Sequence, residues 1–170
     1  MRHRRAVLTI LIALLALPAV ALAATTVTGA RYEAPDGTIF RVTASQKLAH
    51  GAARFELKAT AAGTTDVVTS ADIRPANGKP LRVGSSLACD DPGVSVAYGT
   101  VAAAAKRVVA TLVDGTKLRL SRTQPPAAWR YDGWFVAGIA NSQSPVRRVD
   151  VYGRHGKHLS IAKFSSPEGC

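Results

Sequence analysis

Aromatic side chains are scarce in this 170-residue chain, where Phe, Tyr and Trp together make up 6%. That argues against the stacking platforms that hold single-stranded nucleic acid, and no nucleic-acid partner is expected. Acids are scarce too, 11 against 22 Lys and Arg, for a formal net charge of +11. Few carboxylates leave little for glycoside hydrolysis. Asp90-Asp91 is a pair, but Pro92-Gly93 follows it and the four residues read as a turn. Cysteine is limited to Cys89 and Cys170, too far apart for a zinc-ligand pattern. His155 and His158 bracket a turn, but neither they nor His50 have a third ligand close in sequence, so no metal and no cofactor are expected. Neither a Gly-x-Ser-x-Gly elbow nor a phosphate-binding glycine loop is present. No residue is nominated as catalytic and the chain reads as non-enzymatic. A hydrolase with a scattered active site stays as an alternative, because triad members need not be neighbours in sequence.

Long apolar runs are absent except for one, at the N-terminus. Met1-Arg2-His3-Arg4-Arg5 is a basic stretch, Ala6 to Leu17 is apolar apart from Thr9, Pro18 breaks the helix, and Ala21-Leu22-Ala23 is a small-x-small cleavage site. This is the layout of a secretory signal over residues 1–23, leaving a single secreted domain over residues 24–170. The rival is an uncleaved anchor, for which the apolar run is short against the roughly 20 residues a span needs. Ordinary export is preferred to a twin-arginine signal at Arg4-Arg5, and no membrane contact is expected after cleavage. An oxidising compartment makes two cysteines one disulfide, Cys89 to Cys170, which would tie a polar C-terminal tail to mid-chain. Free thiols or an intermolecular bridge are the other possibilities.

The apolar fraction, 47%, is too high for a disordered chain, and the length suits one domain. Most segments alternate. Phe55 and Leu57 lie between Arg54, Glu56 and Lys58; Phe40 and Val42 flank Arg41. Val94, Val96 and Tyr98 alternate with Ser95 and Ala97, Leu118 and Leu120 with Lys117 and Arg119, Val149 and Val151 with Asp150 and Tyr152. Period two of this kind predicts half-buried antiparallel strands. Asp36-Gly37, Asp114-Gly115 and His155-Gly156 each precede such a strand and read as hairpin turns. At Asp114-Gly115 a two-residue loop opposes Val113 to Thr116, Thr111 to Leu118 and Val109 to Leu120. At the last turn a three-residue loop, Arg154-His155-Gly156 with Gly156 left-handed, opposes Val151 to Leu159 and Val149 to Ile161, keeping all four on one face. A helix over Val101 to Leu112 competes, but the β-branched run Val108 to Val113 favours a turn at Ala102–Lys106 followed by a strand. Pro125-Pro126 and Asn141 to Pro145 read as loops around a strand at Trp134 to Ala137. Nine or ten short strands imply an all-β antiparallel sandwich, immunoglobulin-like in general architecture.

Charge is uneven. Without Arg2, Arg4 and Arg5 the net is +8, of which +7 lies from Tyr98 onward. The basic set Lys106, Arg107, Arg119, Arg147, Arg148, Arg154, Lys157 and Lys163 is the candidate electrostatic surface. Trp129 to Phe135 is the densest aromatic cluster. Trp129, Tyr131 and Trp134 there read either as a ligand platform or as core and sheet-edge residues.

The stretch Tyr98-Gly99-Thr100-Val101, Arg107-Val108 to Val113-Asp114-Gly115, Trp134-Phe135-Val136, Val149-Asp150-Val151-Tyr152 and Gly156, with Cys89 upstream, resembles short secreted proteins of uncharacterised function from actinobacteria and other high-GC bacteria. The resemblance covers about residues 85–161. It implies a small exported β-rich domain and brings no catalytic residue; a separate smaller sheet in the first half stays open. The expected function is an extracytoplasmic binding or structural module for an anionic cell-envelope polymer or another exported protein, with Arg147, Arg148, Arg154, Lys157, Trp129 and Trp134 as candidate binding residues. The alternative is an inhibitor of extracellular proteases presenting the Pro125-Pro126 or Asp90-Asp91-Pro92 loop.

Overall fold

The computed structural model describes residues 26–46, 52–76, 79–89, 93–129 and 131–165. The expected leader, His50, the Asp90-Asp91-Pro92 loop and Cys170 lie outside the described residues. Among the described residues twelve strands form three antiparallel sheets of four. The first is a meander of β1 (Thr26–Glu33), β2 (Ile39–Gln46), β3 (Ala53–Ala61) and β4 (Thr64–Ile73). The second has the order β5-β6-β10-β9, from β5 (Leu81–Ala88), β6 (Val94–Val101), β9 (Ser121–Thr123) and β10 (Trp134–Asn141). The third has the order β12-β11-β7-β8, from β7 (Arg107–Leu112), β8 (Lys117–Arg119), β11 (Val146–Tyr152) and β12 (His158–Lys163). The fold is an all-β antiparallel sandwich, and the first half of the chain does supply a sheet of its own.

Two cores make it a stack of three layers. Phe40 and Val42 of β2 and Phe55 and Leu57 of β3 pack on Val94, Val96 and Tyr98 of β6 and Phe135 of β10. The Phe55 ring stacks on Tyr98 at 5.5 Å and meets Phe135 edge-on at 5.6 Å. The opposite face of the middle sheet offers Ala97, Val101 and Val136 to Val108 and Ala110 of β7 and Val149 and Val151 of β11. Each fully buried Val or Phe is worth about 1.5–3 kcal/mol of transfer free energy.

Coverage on both sides corrects one expectation. Val94–Tyr98 is not a half-buried strand, because Ser95 and Ala97 are as buried as Val94 and Val96. The hydroxyls this places inside are satisfied: Ser95 donates to the Ser144 carbonyl, and Thr100 donates to the Arg74 carbonyl at 3.2 Å. At Gly99 the two backbones nearly touch. A Cβ there would stand 2.2 Å from the Arg82 carbonyl oxygen, so glycine is what lets β5 lie against β6.

The Ala102–Lys106 turn and the strand after it are as expected, with no helix: Ala105 N–H closes on the Ala102 carbonyl at 3.0 Å and β7 begins at Arg107. Two hairpin registers differ from expectation. At Asp114-Gly115 the loop has three residues, since Leu112 N–H bonds the Thr116 carbonyl at 2.9 Å and Ala110 opposes Leu118. The shift puts Val108, Ala110 and Leu112 inward and leaves Val113 47% exposed. At the last turn the three-residue loop is present: Gly153 N–H bonds the Lys157 carbonyl at 2.8 Å and Tyr152 opposes His158. A bulge at Leu159 then moves the register, so Val151 opposes Ser160 and Val149 opposes Ala162, and Ile161 is turned out at 41% exposure.

The chain between β8 and β9 links the second and third sheets. Lys117–Arg119 pairs with β7, Leu120 N–H bonds the Val108 carbonyl at 3.0 Å, and Ser121–Thr123 pairs with β10. Gly138 makes room for the corner: a Cβ on it would lie 2.6 Å from Leu120 Cδ2.

Candidate anion-binding face

Period two along each strand and the register between strands decide which cations meet. Arg107 opposes Tyr152, Val109 opposes both Arg119 and Asp150, and Thr111 opposes both Lys117 and Arg148. Arg148 in turn opposes Lys163. With Val108, Ala110, Val149 and Val151 facing the core, the outer face of the third sheet carries Arg107, Lys117, Arg119, Arg148 and Lys163. Asp150 is the one carboxylate on these four strands. It is 6% exposed, with Arg148 Nε at 3.1 Å from one oxygen and His158 Nε2 at 3.1 Å from the other. The His158 ring meets Tyr152 edge-on at 5.4 Å, and the Arg107 guanidinium lies 4.3 Å from the Tyr152 ring centre on the same face.

Two clefts flank Lys106 at the end of this face. One, of about 340 Å³, is lined by Lys106, Arg107, Arg119, Ser121, Arg122, Leu120 and Trp134. Arg122 donates to the Ala105 carbonyl at 2.6 Å and lies 5.0 Å from the Trp134 ring centre. Trp134 Nε1 donates to the Ala103 carbonyl at 3.4 Å. The other cleft, of about 540 Å³, has Ala103, Ala104, Gly153 and Leu159 with Lys106, Arg154, His155 and Lys157 around them. His155 holds φ 56°, a left-handed conformation uncommon for a residue with a side chain.

The structure divides the expected binding residues. Arg148 belongs to the outer face, Arg154 and Lys157 to the larger cleft, and Trp134 to the smaller one. Arg147 is exposed beside the irregular pairing that opens β11. Trp129 does not join them. It packs on the other side of the middle sheet, with its ring 5.4 Å from that of Phe135, so the two tryptophans form no common platform. Tyr131 is on that side as well, its hydroxyl accepting from Ala76 N–H at 3.2 Å; burial first of all raises its pKa. Of the loops considered for protease inhibition, Pro125 is buried and Pro126 half-buried, with Trp129 N–H bonded to the Pro126 carbonyl at 2.9 Å.

Lys117 and Arg122 stand outside the basic set expected from sequence. Lys117 is within reach of that reasoning, because it shares the alternation that picks out Arg119. Arg122 has the opposite parity and reaches the cleft only because the chain turns the corner at Leu120. Among the described residues no three His, Cys, Asp or Glu side chains group as a metal site, and no helix is long and apolar enough to cross a membrane. No hydroxyl among them hydrogen-bonds the second ring nitrogen of His158. No protein-family model, curated protein or solved structure significantly matches the chain.

Proposed function

We propose that the protein is a non-enzymatic, exported binding module that uses the outer face of the third sheet to hold an anionic cell-envelope polymer. One observation carries this reading: the antiparallel register gathers Arg107, Lys117, Arg119, Arg148 and Lys163 on one face that has Asp150 as its single carboxylate. A polyanion gains on such a face because each neutralised charge releases condensed counterions. Small anions in water have no such reservoir. Export by the N-terminal leader and a Cys89–Cys170 bridge belong to the same proposal. Cys89 follows β5 directly, and no described cysteine is free.

The test is co-sedimentation of residues 24–170 with purified bacterial cell wall across a salt series. Binding should weaken steeply with salt. Replacing Lys117, Arg148 and Lys163 by Glu should lower the log–log salt slope by roughly one unit for each cation removed from the polymer. Retention that is indifferent to salt and to these three changes would refute the reading.

A further inference from the structure

We propose that the smaller cleft, between the start of β7, the β8–β9 corner and the start of β10, is a subsite for a phosphoryl group. This rests on the polyanion reading above and deepens it, since it gives the polymer phosphomonoester groups rather than carboxylates. Four cations, Lys106, Arg107, Arg119 and Arg122, line one small cleft together with Leu120, Ser121 and Trp134, and no carboxylate among the described residues lines it. Like charges around one cleft raise its positive potential, and a bound anion would offset it.

Two of the four are held before any ligand arrives. The Tyr152 ring lies under the Arg107 guanidinium at 4.3 Å. Arg122 is held by the Trp134 ring at 5.0 Å and by the Ala105 carbonyl at 2.6 Å, which leaves its remaining N–H groups for a ligand. Preorganised guanidinium forks lose little side-chain freedom on binding an oxyanion. The number of donors selects among anions. A carboxylate presents two oxygens to four cationic groups, and neutralises one charge. A terminal phosphoryl group, a phosphomonoester, presents three free oxygens around a tetrahedral centre and carries up to two charges, so more of the donors are satisfied at once; a bridging phosphodiester, with two free oxygens and one charge, lacks that advantage.

The cleft reports on itself through Trp134. In a Trp129→Phe background, Trp134 fluorescence should change saturably with inorganic phosphate, and should stay flat with acetate at matched ionic strength. Arg119→Gln removes a guanidinium that, among the described residues, holds no aromatic ring or carbonyl, and should weaken phosphate at least tenfold. Arg122→Gln should do the same, and Arg41→Gln, on β2 of the first sheet and outside both the cleft and the basic face, should change it less than twofold. Equal responses to phosphate and acetate, or an Arg119→Gln protein that binds phosphate normally, would overturn the subsite. Polymers separate the two proposals. Short-chain polyphosphate, whose ends are terminal phosphoryl groups, should bind more tightly than poly-L-glutamate, with the preference lost in Arg119→Gln. Equal salt-dependent binding of both polymers would overturn the subsite and leave the basic face standing. Binding of neither would overturn the basic face, whatever phosphate alone does.

Discussion

Asp150 and His158 meet across β11 and β12, Oδ1 to Nε2 at 3.1 Å, on a face whose other charged side chains are all cations. The carboxylate also holds Arg148, so it both lowers the positive potential of the face and keeps two of its side chains in place. Replacing Asp150 by Asn removes the charge and nearly preserves the shape. Polyanion binding at low salt should tighten on the order of twofold to fivefold, as expected for one unit charge acting through a solvated surface. Loss of the charge-assisted bonds should cost about 1–3 kcal/mol of stability. Paired measurements of polymer affinity and urea midpoint on Asp150→Asn check both signs, and weaker binding would show that the pair positions Arg148 more than it screens it.

Glycines 99 and 37 should respond very differently to alanine. At Gly99 the new Cβ meets the Arg82 carbonyl oxygen at 2.2 Å and Val83 Cα at 2.7 Å, backbone atoms of the middle sheet that have nowhere to go. At Gly37, φ is +84° but the space around it is open. Gly99→Ala should cost about 2 kcal/mol or more by overpacking, and Gly37→Ala about 1 kcal/mol from the backbone conformation alone. Denaturant melts of the two variants make the comparison.

Acid should weaken the fold through a small set of carboxylates. The Thr38 backbone N–H, then its hydroxyl, lowers the pKa of Asp36; Thr116 does the same for Asp114, with help from Ser142 and Ser144. Hydrogen bonding from Lys58 and then Arg54 outweighs desolvation and lowers Glu56. A carboxylate whose folded pKa is depressed binds fewer protons folded than unfolded. Its contribution is therefore complete above the unfolded value of about 4 and is lost as pH falls through the folded value. Unfolding free energy should be level near neutrality and decline below about pH 4. Asp36→Asn with Asp114→Asn should flatten part of that decline.

The proposed Cys89–Cys170 bridge closes a loop of about 80 residues, worth about 4 kcal/mol in the chain-entropy model. Denatured protein should show no reactive thiol, and the double Cys→Ser variant should lose stability of that order. Two titratable thiols in the unreduced protein would remove the bridge from the proposal.

Much of this architecture is written in local pattern. Phe55 and Leu57 between Arg54, Glu56 and Lys58 announce a strand with one buried face, and both are 2% exposed. The repeated Asp-Gly-Thr marks two turns of one design, in which the aspartate side chain accepts from the N–H two residues on, Thr38 at 2.9 Å and Thr116 at 2.8 Å. Register is less legible. One residue of loop length at Asp114-Gly115 and one bulge at Leu159 exchange inward for outward side chains, and both choices are set by how well Val108, Ala110, Val149 and Val151 fill the second core. Trp129 and Trp134 are close in sequence, yet they serve cores on opposite sides of β10.

By itself the sequence determined β2, β3, β6, β7, β8, β10, β11 and β12, the turns at Asp36-Gly37, Asp114-Gly115 and His155-Gly156, and the surplus of basic charge in the second half. These follow from period-two alternation and from turn residues with special backbone freedom, both short-range properties of the chain. Only the tertiary structure decided that β6 pairs with β10 and β7 with β11, and so that Arg107, Lys117, Arg119, Arg148 and Lys163 share a face. Alternation says which side chains of one strand point the same way. Which strands become neighbours depends on which pairing buries the most apolar surface and leaves no buried backbone group unpaired, and that is a property of the whole chain.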